Sequence, residues 1–289
     1  MDPLRTIDIC AGAGGWAVAA RGLPIRIVAA VDVNRDCLAS YTYNNPGVEP
    51  ILRDVRSLDW VQIAARHGPF DLIVGGIPCE EISLARNHIP ADAATMRGWM
   101  QVIDACLDAA KILEPRWWCY EDVVGLRRFL PKGTPHQVID AALFGPQNRK
   151  RVYVGRFPRV EPPAVANART MNSCLESGPY CCPAEALRCA AETKNVRAHG
   201  RVRVVDAQAK SATVLSSIGR TARDGIIFDG LRRRKLTFVE AALLQGFPSD
   251  YLFVASERGA WKQVGQAIQI DCGRAILREI VAEAENNGH

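Results

Sequence analysis

Short β-branched runs alternate with helical patterns through the first 157 residues, and that alternation leaves the chain few folds to choose from. TIDIC precedes a helical pattern from about Trp16, and IRIVAAVDV precedes another from about Arg35. EPILRDV and FDLIVGG follow as strands, an amphipathic stretch from about Ala94 to Leu113 leads into WWCYEDV, and VYVGRF at 152–157 closes the series. Strands joined by helical crossovers pair in parallel, because each helix buries its apolar stripe on a sheet face. The order predicts an α/β fold with a doubly wound, mostly parallel sheet and ligands at the carboxyl ends of its strands.

After Phe157 the texture changes. Residues 158–200 are irregular, with PRVEPPAV and Cys174, Cys181, Cys182 and Cys189, and strand-like pieces follow at RVRVVD and SATVL. Helical order returns at LTFVEAALLQGF and again from about Val264 to Glu285. The chain therefore divides into 1–157, a small inserted domain at 158–235, and a segment 236–289 that packs back on the sheet. The net charge is +5, yet residues 158–235 hold 14 Lys and Arg against 7 Asp and Glu, which leaves −2 for the remainder. Such asymmetry fits a polyanion-facing surface or a solvated basic face. No apolar run approaches the roughly 20 residues of a bilayer span, and MDPLRTIDIC lacks the pattern of a signal peptide, so the chain is expected to stay inside a cell, away from membranes. Ten cysteines without regular loop spacing fit reduced thiols better than a disulfide framework.

DICAGAGG, Asp8 to Gly15, sets a glycine-rich turn between a strand and a helix, where the backbone can approach a ligand and offer amides. Asp32, about 20 residues further on, stands where ribose hydroxyls would be bound, and Asp54 follows the third strand within reach of an adenine amino group. Either carboxylate could instead cap the helix after it. Together they suggest an adenosine-containing cofactor. GGIPCEEIS places Cys79 where the strand FDLIV opens into a loop, a position at which a lone cysteine is more often a packed thiol than a nucleophile, so context must decide.

DICAGAGG, GGIPCEEIS, YEDV, PQNRKR, RKLTFVEAALLQGFP and KQVGQAI occur in the order found in the DNA (cytosine-5)-methyltransferases, and the chain resembles a compact member of that family from about Thr6 to Ala284, apart from residues 158–200. The resemblance implies a Rossmann-like class I methyltransferase fold whose inserted segment is the target-recognition domain. It implies S-adenosylmethionine as cofactor and double-stranded DNA as partner, in a protein expected to be monomeric, free of metal and cytoplasmic in a prokaryotic or virus-infected cell. Cys79 matches the family nucleophile, whose thiolate adds to cytosine carbon-6. Glu121 matches the glutamate that serves ring nitrogen 3, with burial beside Trp117 and Trp118 expected to keep a proton on it. Arg151 matches the arginine that grips the cytosine carbonyl, and Arg149 its companion near the nucleophile, although arginines ahead of a strand commonly face water.

For the cofactor, the resemblance implicates Asp8, Cys10, Ala11, Gly12, Gly14, Gly15 and Trp16 around the first turn. Asp32 and Val33 follow at the second strand, Asp54 and Val55 at the third, Gly76 and Pro78 at the fourth, and Gln266 and Ala267 in the last block. A pyrimidine in a duplex cannot reach such a pocket, so the target base is expected to swing out, with residues 81–96 as the lid and Ser83 on a phosphate.

The chain departs from the family at four places: Cys10 stands for an aromatic residue, Glu80 for glutamine, Asp122 for asparagine after Glu121, and Gln266 for asparagine. These changes leave room for a donor bearing a larger group. A tRNA cytosine methyltransferase of the same architecture and a DNA-binding protein without catalysis also remain open. The cysteine spacing in 174–189 fits zinc poorly, and the run Arg232 to Arg234 is a candidate for phosphate contacts.

Overall fold

The structure is a computed structural model that describes residues 2–78, 92–164, 167–175, 205–215, 226–228 and 233–288. Seven strands among these residues form one sheet in the order β3-β2-β1-β4-β5-β7-β6. They are β1 Leu4–Ile9, β2 Ile25–Asp32, β3 Glu49–Leu52, β4 Leu72–Gly76, β5 Trp117–Asp122, β6 His136–Asp140 and β7 Lys150–Arg156. The first five run parallel, and β7 lies antiparallel to both β5 and β6. The doubly wound, mostly parallel sheet expected from the alternation is present. Because β7 is reversed, its first residues lie beside the carboxyl end of β5, with Asp122 opposite Val152.

Alternation along the strands sorts side chains into two cores. Leu72 and Val74 face a cluster with Trp16, Trp117, Cys119, Tyr153, Ile276 and Ile280, whereas Ile73 faces the opposite one with Ile7, Ile9, Ile103, Cys106, Tyr120 and Val154. Helices α1 Gly15–Ala20 and α7 Ile270–Asn286 cover the first face, and α3 Trp60–His67 and α4 Ala93–Leu113 cover the second. Helix α2 Arg35–Asn44 follows β2, and α5 Phe238–Gln245 and α6 Glu257–Gln266 precede α7. Val160, Met171, Cys174, Ala207, Val214 and Ile227, all from the 158–235 segment, are buried in the first core as well. A second sheet joins β8 Val205–Asp206, β9 Ile226–Phe228 and β10 Arg233–Lys235.

Several elements differ from the sequence reading. Helix α3 was not expected, since it has only two turns; Asp59 starts it by accepting from the amides of Val61 and Gln62. Of the lid expected at 81–96, residues 81–91 lie outside the described residues, and 93–96 form the first turn of α4, which Asp92 caps through the amides of Ala94 and Thr95. The single helix expected from Val264 to Glu285 is two, broken at 267–269, where Gln269 accepts from the Cys272 amide and opens α7 afresh. SATVL is not a strand; Ser211 makes only a bridge to Gln147. The expectation that Arg234 touches phosphate is corrected: it is buried, and both of its terminal nitrogens lie 2.7 Å from the carboxylate of Glu240. Arg232, Cys181, Cys182 and Cys189 lie outside the described residues, and among those residues no cluster of His, Cys, Asp or Glu could hold a metal. No helix there is long and apolar enough to cross a membrane.

Candidate active site

Strand order reverses between β1 and β4, so the chain leaves these neighbours on opposite sides and opens a crevice at their carboxyl ends. The glycine turn forms one wall. Cys10, Gly12 and Gly14 all have positive φ, at 53°, 55° and 93°, and the Ala11 amide donates to Val31 O at 2.9 Å. A Cβ on Gly12 would meet nothing within 4 Å, which leaves the turn open to a ligand, whereas one on Gly14 would sit 2.7 Å from the Tyr251 hydroxyl. That hydroxyl donates to Ala13 O and ties the C-terminal segment to the turn. Gly14→Ala is therefore expected to lower stability by about 2–4 kcal/mol, from the left-handed backbone and the clash together, and to weaken donor binding. Thermal unfolding and calorimetric titration check it, and an unchanged melting temperature would contradict it.

Asp32 accepts from the amides of Gly12 and Asn34, both at 2.8 Å, which fixes the carboxylate while leaving each oxygen a second lone pair for ribose hydroxyls. It does not cap α2; Asn34 does, through the Cys37 amide. Burial raises the pKa of Asp32, and the backbone bonds oppose this. Beside it Val33 is 71% exposed, an apolar surface at the end of β2. Asp54 does cap a short 3-10 turn, Val55–Ser57, and is paired with Arg56 at 2.6 Å, whose guanidinium holds the Asp54 pKa down; Val55 is buried. These features fit the adenosine half of S-adenosylmethionine.

Three residues expected at the cofactor are wholly or partly buried. Trp16 is in the core, with its indole N–H donated to Gly75 O at 3.0 Å. Asp8 is buried, accepts from the Tyr41 hydroxyl at 3.1 Å, and is driven by burial to a pKa well above the carboxylate range. Cys10 is half-buried against the α4-side core, where the neighbouring Cys106 thiol and then burial raise its pKa.

The other wall carries the reactive groups. Gly76 pairs with Glu121 across β4 and β5, and the Ile77 amide donates to Glu121 O at 3.0 Å. Pro78 is exposed, and its carbonyl accepts from the Trp99 indole at 2.6 Å, which fixes the chain as it leaves the sheet. Cys79, Glu80 and Ser83 lie outside the described residues. Glu121, 5% exposed, has Oε1 3.1 Å from Nε of Arg151, an ion pair whose angle does not make it a hydrogen bond. Trp117 and Trp118 are not its neighbours as expected, since Trp117 stands four residues back, about 13 Å along the strand, with its indole on Glu283.

Arg149 is buried and donates to the carbonyls of Val214 at 2.9 Å, Gly265 at 3.3 Å and Ala267 at 3.0 Å. It thereby fastens the turn bearing Gln266 and Ala267 to the start of β7, with Gln266 exposed. Gln147, passed over in the sequence, completes that joint: its amide nitrogen donates to Leu244 O and Gln245 Oε1, and its oxygen accepts from the Val214 amide. Its place in PQNRKR was visible, but a buried glutamine has no sequence signature that separates it from a solvated one.

Residues 4–134 and 184–282 match the family of C-5 cytosine-specific DNA methylases. The chain belongs to this family. Among curated relatives, the Type II methyltransferase M.HgiDI of Herpetosiphon aurantiacus is 28% identical over 93% of this chain and 91% of its own length. The Type II methyltransferase M.NlaX of Neisseria lactamica is 26% identical over 96% of each. Among solved structures, the S. pombe Dnmt2 methyltransferase superposes with a TM-score of 0.72 at 17% identity over 100% of both chains. Entamoeba histolytica methyltransferase EhMeth gives 0.70 at 13% over 98% of this chain and 99% of that one, and these two likenesses concern the fold alone. The protein is thus an enzyme of cytosine-5 DNA methylation, with the Rossmann-like architecture that its strand order displays.

Proposed function

We propose that the protein, acting as a cytoplasmic monomer, methylates carbon-5 of a cytosine swung out of double-stranded DNA, with S-adenosylmethionine as donor and Cys79 as nucleophile. The observation that carries the reading is the Glu121–Arg151 pair, set against the exit of β4, where the Ile77 amide bonds Glu121 O two residues before Cys79 in the sequence. Cytosine carbon-5 is a poor nucleophile. Addition of the Cys79 thiolate to carbon-6 moves the ring electrons so that carbon-5 becomes enamine-like. Glu121 is suited to place a proton on ring nitrogen 3, and Arg151 to hold the ring carbonyl oxygen, as the negative charge develops. The donor, when bound, supplies an electrophilic methyl on a sulfonium. After carbon-5 takes the methyl it loses its proton, and the sulfur leaves carbon-6 as thiolate.

Asp32, Val33 and the glycine turn would hold the adenosine end, and Arg149 keeps the α6–α7 turn in place on the methionine side. The family match favours DNA over tRNA. Incubation of the full chain with labelled S-adenosylmethionine and either duplex DNA or tRNA tests this, with base-resolution sequencing of the product and mass spectrometry of its nucleosides. The expected product is 5-methylcytosine in duplex DNA; label confined to tRNA, or a modified base other than 5-methylcytosine, would overturn the reading. Glu121→Ala is expected to lower kcat/KM by about 10²–10⁴-fold with duplex binding retained, as measured by steady-state kinetics and gel shift.

A further inference from the structure

Asp122, which stands where the family has asparagine, is 1% exposed at the last position of β5. Its Oδ1 accepts from the Val123 amide at 2.5 Å, and its Oδ2 is buried with no hydrogen-bond partner among the described residues. A buried carboxylate oxygen without a donor is costly, whereas the neutral acid loses far less on leaving water. Among the described residues, the charged groups that act on it are Glu121 and Arg151. Glu121 precedes it on β5; Arg151, one residue from its β7 partner Val152, is the cation; and β6 brings the apolar Ile139 opposite Arg151. From β4 come the uncharged Ile77 and Pro78, with Cys79 and Glu80 following outside the described residues.

Resting on the function proposed above, we propose that Asp122 is a positioning residue that works as the neutral acid, because its buried Oδ2 has, among the described residues, no donor that would hold a charge there. Burial first, and then the Glu121 carboxylate, raise the Asp122 pKa well above the carboxylate range, while the Val123 amide and Arg151 oppose the shift. Ionised, Asp122 would add a buried negative charge next to the Glu121–Arg151 pair and so perturb the groups that face the base. Asparagine has nearly the same shape and never ionises, so the family residue and protonated aspartic acid are interchangeable, but only below the pH at which Asp122 loses its proton.

The test compares wild type with Asp122→Asn, and with Asp122→Ser if the asparagine variant does not fold. The first measurement is kcat/KM for methyl transfer to duplex DNA as a function of pH. Wild type should lose activity on the alkaline side by about tenfold per pH unit beyond the apparent pKa, while Asp122→Asn should lack that limb and stay within about threefold of wild type at neutral pH.

The second measurement is thermal unfolding across the same pH range without DNA or donor. A carboxyl with a raised folded-state pKa binds more protons folded than unfolded, so its contribution to stability is present below the unfolded value near 3.9 and is lost as pH rises through the folded value. Asp122→Asn should therefore gain in melting temperature relative to wild type as pH rises. A variant profile that superimposes on wild type, or a melting difference that does not change with pH, overturns the proposal. Absence of methyl transfer by wild type, with the melting difference as expected, overturns the preceding function instead.

Discussion

Replacing Cys79 with serine is expected to reduce turnover by at least about 10³-fold while leaving duplex binding and the fold in place. The size of the effect follows from the chemistry of attack. A thiol with a pKa near 8.5 is a few per cent thiolate at neutral pH, and a serine hydroxyl is essentially never ionised there, so the oxygen cannot add to carbon-6 at a useful rate. The fold should tolerate the change because the preceding residue, Pro78, is exposed, and the chain is held there by backbone groups: the Ile77 amide on Glu121 and the Trp99 indole on the Pro78 carbonyl. Steady-state kinetics with a duplex substrate, alongside a gel-shift affinity, measures both halves of the expectation. A serine variant that turns over within tenfold of wild type would remove the nucleophile from the mechanism.

Glu240→Ala is expected to destabilise the protein by about 3–5 kcal/mol, because it takes away the carboxylate that a buried guanidinium grips with two bonds. Both partners are buried, and Arg234 grips the carboxylate with two bonds of 2.7 Å. The same carboxylate accepts from the Thr237 amide at 2.8 Å, and the Thr237 hydroxyl accepts from the Glu240 amide at 3.1 Å, a reciprocal cap that starts α5. One substitution therefore removes an ion pair and half of a capping box and loosens β10 from α5. The melting temperature should fall by about 10 °C on the scaling for a chain of this size. Glu240→Gln keeps the shape and part of the cap and should fall less. A fall of under 2 °C for the alanine variant would show that the pair contributes little and that other contacts hold β10 to α5.

The sheet was legible in the sequence because burial on both faces imposes apolar runs such as LIVGG, and crossovers impose alternation. What escaped was set by single polar contacts or by short length. Helix α3 has too few turns to show a period, and the break before α7 depends on one glutamine side chain finding the Cys272 amide. Glu121 and Arg151 were identifiable only through the resemblance, since nothing in YEDV or PQNRKR requires that they meet; the reversal of β7 brings them to 3.1 Å. Arg234 misled because a basic run looks solvated, and its partner six residues away lies in what reads as an apolar helix. Trp117 and Trp118 misled through sequence proximity, since neighbours in a strand can be many ångströms from the group they appear to flank.

The most direct measurement of the central claim is capture of the sulfur–base bond. A duplex carrying 5-fluorocytosine at the target site blocks the last step, because fluorine cannot leave carbon-5 as the proton does. With S-adenosylmethionine present, wild type should form a complex that survives denaturation, and mass spectrometry of its digest should place the methylated base on Cys79. A duplex that binds but yields no covalent species, or one attached through another residue, would contradict the account.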